Sequence, residues 1–183
     1  MSLLRALILV LSPAGATLPA LGYDDMVSGF GIAPPAPFEV TDATPGPTVL
    51  RIGIGSMTGE PPIAGNGKYV CELSYETSDI NAALTQDEIN EATQSMWRRE
   101  QVTTSIGAQM TIDNVAYFSV GEVHGMELVL TPKYGPDAAN VRLVLSLAET
   151  PKARFVQSCA TSAAALEAAL PQFRAIRDTA RLP

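Results

Sequence analysis

Residues 141–181 have the sequence VRLVLSLAETPKARFVQSCATSAAALEAALPQFRAIRDTAR, in which a two-residue period gives way to a helical one. Apolar side chains alternate along 141–148, and a second strand is predicted over 153–161. A helix should follow, capped by Thr161 or Ser162. Its apolar side carries Leu166, Leu170, Phe173, Ile176 and Ala180. Because Pro171 inside this run cannot donate a helical hydrogen bond, we expect a kink there or a second helix starting at that residue.

Further strands are predicted upstream, over 48–54, 68–77, 106–112, 115–120 and 123–131. In the 68–77 strand, Tyr69, Cys71, Leu73 and Tyr75 should share one face, which points Cys71 inward. Asp113 and Asn114 are interpreted as a turn between the third and fourth of these strands. The short connections favour an antiparallel meander over parallel units with crossover helices.

One helix is predicted between the early and the late strands. Thr85 and Glu88 have the spacing of a capping box, and the helix should end near Gln101. Its apolar face would carry Ile89, Ala92, Met96 and Trp97. The predicted fold class is α+β: an antiparallel sheet meander with one inserted helix and a C-terminal helix packed on the sheet.

The chain is predicted to divide into three parts. Residues 1–20 have the pattern of a secretory signal peptide, with a short apolar run at 6–11 and Ala14-Gly15-Ala16 for cleavage. Residues 21–47 are rich in Pro and Gly, which predicts an extended arm that is either a spacer or lies against the domain through Phe30, Ile32 and Phe38. Residues 48–183 are expected to form a single α+β domain.

The predicted export of the chain affects the expected oxidation state of its two cysteines, Cys71 and Cys159. An oxidising compartment would allow them to form a disulfide, whereas the alternative is two buried free thiols. We favour the disulfide and a periplasmic or secreted location. No cysteine follows the leader to carry a lipid, and the apolar run at its centre is too short to span a bilayer, so no stable membrane span is expected in the mature chain.

The composition of the chain indicates its number of domains and its class of partner. The chain has 183 residues, 46% of them hydrophobic, which suits one domain with a real core. Its formal charge of −7 argues against nucleic acid as a partner, because phosphate contacts depend on Lys and Arg. The expected partner is an envelope protein or a small ligand.

The element order over 68–182 resembles the PsbP-like superfamily of small α+β domains. The most suggestive part is the last strand, RFVQSCAT, running into SAAALEAALPQFRAIRDTAR. The resemblance implies a non-enzymatic adaptor or binding role. This sequence departs from the superfamily in two respects. It lacks the lipid-attachment cysteine of many bacterial members, and its export signal excludes the nuclear import role of a eukaryotic member.

His124 is the one histidine and the first candidate for chemistry. Glu122 and Glu127 are near it in sequence, but no set of Cys, His and Asp around it has metal-ligand spacing. No catalytic residue, metal ligand or cofactor is therefore assigned. An alternative function, an envelope hydrolase, would pair His124 with a Ser or Glu that folding brings close.

Trp97, Arg98, Tyr134 and His124 are the candidate partner or ligand contacts. Trp97 has two interpretations, a core residue between helix and sheet or an exposed anchor beside Arg98. The leading hypothesis is an exported, non-catalytic accessory protein, adaptor or chaperone-like, of the cell envelope. A third reading, a carrier of small apolar ligands, requires a cavity between the sheet and the terminal helix.

Overall fold

Seven strands form one antiparallel sheet in the computed structural model, which describes residues 22–65 and 67–183. These strands are β3 (Phe38–Thr44), β4 (Val49–Ser56), β5 (Cys71–Thr77), β6 (Met110–Val120), β7 (Val123–Pro132), β8 (Val141–Glu149) and β9 (Ala153–Ser162). Their order across the sheet is β3-β4-β5-β9-β8-β7-β6. Two short strands, β1 (Tyr23–Asp24) and β2 (Gly31–Ile32), pair separately. The helices are α1 (Gln86–Gln94), α2 (Met96–Gly107) and α3 (Leu166–Arg177). The predicted α+β class is confirmed.

The sheet consists of two meanders, β3-β4-β5 and β6-β7-β8-β9, joined where β9 pairs with β5. Helix α3 packs on one face, which we call the α3 face, over Phe155, Cys159 and Val144. Helices α1 and α2 lie on the opposite face, called the α2 face, where Val102 and Ile106 contact a cluster around Leu128 and Leu130. The C-terminal helix is therefore packed on the sheet as expected.

The disulfide between Cys71 and Cys159 is present, and it lies where the two meanders meet. The two residues are directly opposite each other in the β5–β9 ladder, with Cα atoms 4.0 Å apart. Both are buried under α3, at 1% and 0% exposure. The expectation of an inward Cys71 is confirmed, because alternate residues of a strand share a face and Leu73 and Tyr75 are buried beside it.

A buried carboxylate ties α3 to the sheet. Glu127 in β7 is 2% exposed and accepts hydrogen bonds from Arg174, at 2.6 Å, and from Arg177, at 2.8 Å. The guanidinium of Arg177 also lies 4.0 Å over the centre of the Phe118 ring. Arg177 is itself 5% exposed, and its charge is compensated by Glu127 together with the half-exposed Asp178, 2.7 Å away.

Residues 22–47 lie against the domain through Phe30, Ile32 and Phe38, which agrees with the second of the two alternatives, but they also contain a strand of the main sheet that was not expected. Phe38–Thr44 is an outer strand of the main sheet, and Phe30, Ile32 and Phe38 are buried at 0%, 3% and 2% exposure. Phe30 packs against Tyr75, with the ring centres 4.9 Å apart. The prolines of this segment lie outside its strands. Because they are so frequent, the segment was predicted to be an extended arm, and the short strands between the prolines were not recognised. The predicted leader, residues 1–20, lies outside the described residues.

The inserted helix is two helices, broken at Ser95. Ser95 has an extended backbone, and its hydroxyl accepts the Arg98 N–H, so it ends α1 and caps α2. The capping box at Thr85 and Glu88 is present as predicted. Helix α2 runs to Gly107, through the start of the strand predicted over 106–112, and β6 begins at Met110. The predicted turn at Asp113 and Asn114 is instead a bulge within β6.

Helix α3 is also different in detail from its prediction. It continues through Pro171 from Leu166, with no second helix starting at the proline. Pro171 and Glu167, whose carbonyl the missing N–H leaves free, are both exposed, so water can replace that hydrogen bond. Neither expected residue caps α3: its N-cap is Ala165, and the Thr161 hydroxyl donates to the Pro62 carbonyl.

Glu127→Gln is expected to lower the free energy of unfolding by about 1.5–3 kcal/mol, because Arg174 and the buried Arg177 would lose the charged acceptor that they share, and Arg177 would keep only the half-exposed Asp178. Urea denaturation at neutral pH measures the loss. Asp24→Asn is the control, since it breaks an ion pair to Arg181 whose side chains are 65% and 64% exposed, and it should cost less than about 1 kcal/mol. Similar losses in the two variants would contradict the anchoring role of Glu127.

Replacing both cysteines by alanine should destabilise the protein by about 4 kcal/mol, since the bond closes a loop between residues 88 positions apart. Urea denaturation of the double variant gives the value, and reduced wild-type protein should unfold at a similar urea concentration. Denatured, unreduced wild-type protein should gain no mass on alkylation. Two alkyl adducts per chain would show that the bond does not form in solution.

Candidate functional site

Helix α2 covers only part of its face of the sheet, and a groove runs beside it. Three adjoining cavities of about 490, 310 and 330 Å³ make up this groove. They are continuous because Val156 lines the first and third and Ser158 the second and third. We call this feature the α2 groove. Its floor is formed by β8, β9, β5 and β4.

The end of the α2 groove beside the helix is apolar. Leu145, Leu147 and Val156 form the floor, and Val102 and Ile106 of α2 form the wall. The leucines of β8 are half-buried, whereas Val144, Ser146 and Ala148 on the other face are buried at 1%, 1% and 3% exposure. The stripe of leucines in the VRLVLSLA strand is thus only partly covered by the protein's own helices.

The other end of the α2 groove is polar. Arg51, Glu72 and Ser74 project from β4 and β5. Tyr69 closes this end. Its ring lies against Gly53, where an added Cβ would be 2.5 Å from the ring, so this position requires a residue without a side chain. Tyr69 was expected on the face of Cys71 but lies on the opposite one, because the regular strand begins only at Cys71.

Tyr69 is held in place by a carboxylate of the outer strand. Its hydroxyl donates to Asp42 Oδ2 at 2.5 Å, and Lys68 Nζ lies 3.5 Å from the same oxygen. The Tyr69 hydrogen bond lowers the pKa of Asp42, with a smaller contribution from Lys68. The polar end of the groove therefore keeps its negative charge into the acid range.

Glu149, at the end of β8, joins four segments at the apolar end of the groove. Its carboxylate accepts hydrogen bonds from Arg98 of α2 at 2.5 Å, Arg154 of β9 at 3.0 Å and Asn81 at 3.2 Å. The Gln86 side chain of α1 donates to the Glu149 backbone carbonyl at 3.2 Å. Burial acts to raise the pKa of Glu149, but attraction to Arg98 and the hydrogen bonds from Asn81 and Arg154 outweigh it, and the pKa is lowered.

His124 lies at the junction of β7 and α1, away from the lining of the α2 groove. Its Nδ1 is 2.7 Å from the amide nitrogen of Gln94, and its backbone N–H donates to Asn90. With the amide as donor, Nδ1 accepts and the ring proton is on Nε2. Ser119 is its cross-strand neighbour. A serine hydrolase holds its histidine with a carboxylate, so this amide-held ring does not provide that arrangement within the described residues.

The other candidate contacts are distributed along α2. Trp97 is 66% exposed, so its interpretation as a core residue between helix and sheet is wrong. Arg98 follows it and is bound to Glu149. Tyr134 is 75% exposed near the other end of the helix, where Lys133 donates to the Gly107 carbonyl at 2.5 Å. The structure thus separates Tyr134 from the other three, and the role of all four as contacts remains a prediction.

Most of the residues that shape the α2 groove carry no recognisable signal in the sequence. The leucine stripe of β8 was visible, but both faces of that strand carry apolar residues, so the pattern could not show which face the helices leave open. Glu149 and Asp42 each depend on partners from distant segments. No spacing in the sequence marks such a set.

Metal-ligand clusters and membrane-spanning helices were both looked for among the described residues. No cluster of three or more His, Cys, Asp or Glu side chains in 22–65 and 67–183 could hold a metal ion. Within the same ranges, no helix combines the length and the apolar character needed to cross a bilayer.

Comparisons with known proteins show similarity of fold. No family model matches the chain, and no curated protein matches it. The solution structure of cyanobacterial PsbP from Synechocystis sp. PCC 6803 aligns over 95% of this chain and 99% of its own, with 11% identity and a TM-score of 0.49. A PsbP protein, of the superfamily that the element order was expected to resemble, is thus among the solved structures to which this chain is similar.

Two further solved structures are similar at the same level. A Bacteroides thetaiotaomicron protein aligns over 91% of this chain and 49% of its own, with 11% identity and a TM-score of 0.49. A Pseudomonas aeruginosa protein of unknown function aligns over 84% of this chain and 90% of its own, with 9% identity and a TM-score of 0.44. These values concern the fold alone.

Glu149→Gln should destabilise the protein at neutral pH by about 1–2 kcal/mol, because Arg98 and Arg154 lose their shared charge partner. A carboxyl whose pKa is lower in the folded chain stabilises it above its ordinary pKa and less as the pH falls. The difference in unfolding free energy between wild type and Glu149→Gln should therefore shrink as the pH drops below about 4.5. Urea titrations at several pH values test this, with the exposed Glu91→Gln as control. A difference independent of pH would contradict the ionic role of Glu149.

Proposed function

We propose that this chain is an exported, non-catalytic accessory protein of the cell envelope, adaptor or chaperone-like, that holds a segment of a partner protein in the α2 groove. The observation that carries the proposal is the half-covered leucine stripe beside α2. A face that the fold's own helices leave open, with apolar floor and wall, provides a surface that a partner can bury.

The chemistry of the groove indicates what kind of segment it would accept. Apolar side chains suit the end lined by Leu145, Leu147 and Val156. The polar end is lined by the carboxylates of Asp42 and Glu72 beside Arg51, which suits a polar or basic group of the partner. Such a segment would have apolar residues followed by a polar or basic one.

The location proposed for this function is the periplasm or the extracellular medium. Its support is the Cys71–Cys159 disulfide, since such bonds persist in oxidising compartments, together with the leader pattern of residues 1–20. The acidic composition of the chain further supports a protein or small-molecule partner over nucleic acid.

A carrier of small apolar ligands is a second candidate, favoured by one observation. The cavity of about 490 Å³ beside α2 has an apolar floor with Arg98, Glu149 and Arg154 at its margin, and it lies in the size range of pockets for small molecules. This cavity lies beside α2. A cavity between the sheet and the terminal helix α3 was expected from the sequence for such a carrier. Native mass spectrometry distinguishes this function, because a carrier would purify with a bound molecule that organic extraction removes.

The partner-binding function is tested with a photo-reactive amino acid at Ser158, which faces two of the groove's cavities. The same residue at Gln172, on α3 and so on the opposite side of the sheet, is the control. In envelope preparations, irradiation should link a discrete partner to the Ser158 variant and not to the Gln172 variant, because only position 158 lies within reach of a segment bound in the groove.

A substitution within the groove then shows whether the partner is bound by its apolar floor. Val156→Glu should abolish the cross-link from position 158, because it places a charge among apolar contacts, while the exposed Thr111→Glu should leave it unchanged. Circular dichroism confirms that both variants fold. Equal labelling from positions 158 and 172, or a cross-link that survives Val156→Glu, would refute binding in the α2 groove.

A further inference from the structure

The two outer strands of the sheet differ in how they are protected against pairing. Strand β3 carries the charged Glu39 and has an irregular register between Val40 and Asp42, near the middle of its seven residues. Charges and bulges of this kind prevent an edge strand from pairing with another chain. Strand β6 is the opposite edge, and its residues 114–120, NVAYFSV, carry no charge.

The nearest charge in β6 is directed towards the sheet. Asp113 accepts a hydrogen bond from the Thr131 hydroxyl at 2.5 Å and lies 4.0 Å from Arg142. These partners belong to β7 and β8, on the inner side of β6. The carboxylate is therefore engaged by its own chain, and the bulge beside it ends before the uncharged segment begins.

Three residues of this segment present their backbone groups outward. Gly121 and Glu122 form a two-residue turn, so Val120 and Val123 beside it exchange both of their hydrogen bonds. The pattern alternates along an antiparallel ladder, which leaves the N–H and C=O groups of Val115, Tyr117 and Ser119 pointing away from β7. No hydrogen bond from another described element reaches these groups.

We propose that two copies of this chain associate through β6, paired antiparallel about a twofold axis at Tyr117. In this register Tyr117 is opposite Tyr117 of the second copy, and Val115 is opposite Ser119 at each side. The outward groups of all three residues are then satisfied by six hydrogen bonds. Moving the axis along the strand by two residues in either direction would engage the bulge or the turn and satisfy fewer of them.

The side chains agree with this register. On the α2 face, the two Tyr117 side chains, each 43% exposed in the single chain, would form a cross-strand aromatic pair. On the α3 face, the large Phe118 would be opposite the small Ala116 of the second copy. No charged residue between 114 and 120 is brought opposite a like charge.

Pairing at β6 would join two seven-stranded sheets into one continuous sheet. The free edges of that sheet would both be β3, with its charged Glu39 and irregular register. Association is therefore expected to stop at a dimer and not to extend into a fibre. This assembly leaves the α2 groove open, so it is independent of the function proposed for the groove.

Sedimentation equilibrium of the mature chain tests the proposal, with charge at position 117 as the switch. The wild type should be a dimer. Tyr117→Lys and Tyr117→Glu should each be monomeric, because like charges would meet on the axis, and an equal mixture of the two should recover the dimer. Tyr117→Thr, which adds no charge, should still dimerise. A monomeric wild type, or a dimer in all the variants, would overturn the proposal.

A cysteine scan tests the register separately. In a hydrogen-bonded antiparallel pair the Cα atoms are about 5.5 Å apart, which suits a disulfide. Tyr117→Cys should therefore form a covalent dimer on mild oxidation, while Thr111→Cys, exposed on the same strand but far from the axis, should not. Equal cross-linking of the two variants, or none at position 117, would show that β6 does not pair in this register.

Discussion

The pairing of β5 with β9 is the constraint on which the rest of the structure depends. It joins two meanders that could otherwise form separate small sheets, and it connects residues far apart in the chain. The Cys71–Cys159 bond lies within this ladder and links the same two strands covalently. Because loop closure over such a distance costs entropy, a cross-link at this point stabilises the contact that is hardest to form.

Once the meanders are joined, the two faces of the sheet are completed in different ways. The α3 face is closed by an apolar helix whose arginines meet a carboxylate, Glu127, buried beneath it. The α2 face is only half closed, because α2 lies beside the leucine stripe of β8 and not over all of it. The α3 face is therefore fully packed and stabilises the fold, whereas part of the α2 face stays accessible to solvent.

The strands and the caps were predictable because their signals are local. Alternation along 141–148 and 153–161 indicated β8 and β9, and the spacing of Thr85 and Glu88 indicated the start of α1. The predictions that were wrong concern places where two local sequence signals indicate different structures. Ser95 interrupts an apolar period that continued into Trp97, and the prolines of 21–47 concealed β3. Trp97 followed the helical period but faces solvent, since α2 turns a different side to the sheet.

By itself, the sequence determined the α+β class, the antiparallel strands, the inward direction of Cys71 and the acidic surface, because each follows from residues close together in the chain. Only the tertiary structure decided that β9 enters between β5 and β8, that Arg98, Arg154 and Asn81 meet at Glu149, and that the leucine stripe stays partly open. These features depend on contacts between segments dozens of residues apart. The physical reason is that the period of a strand shows two faces but not which helix covers them.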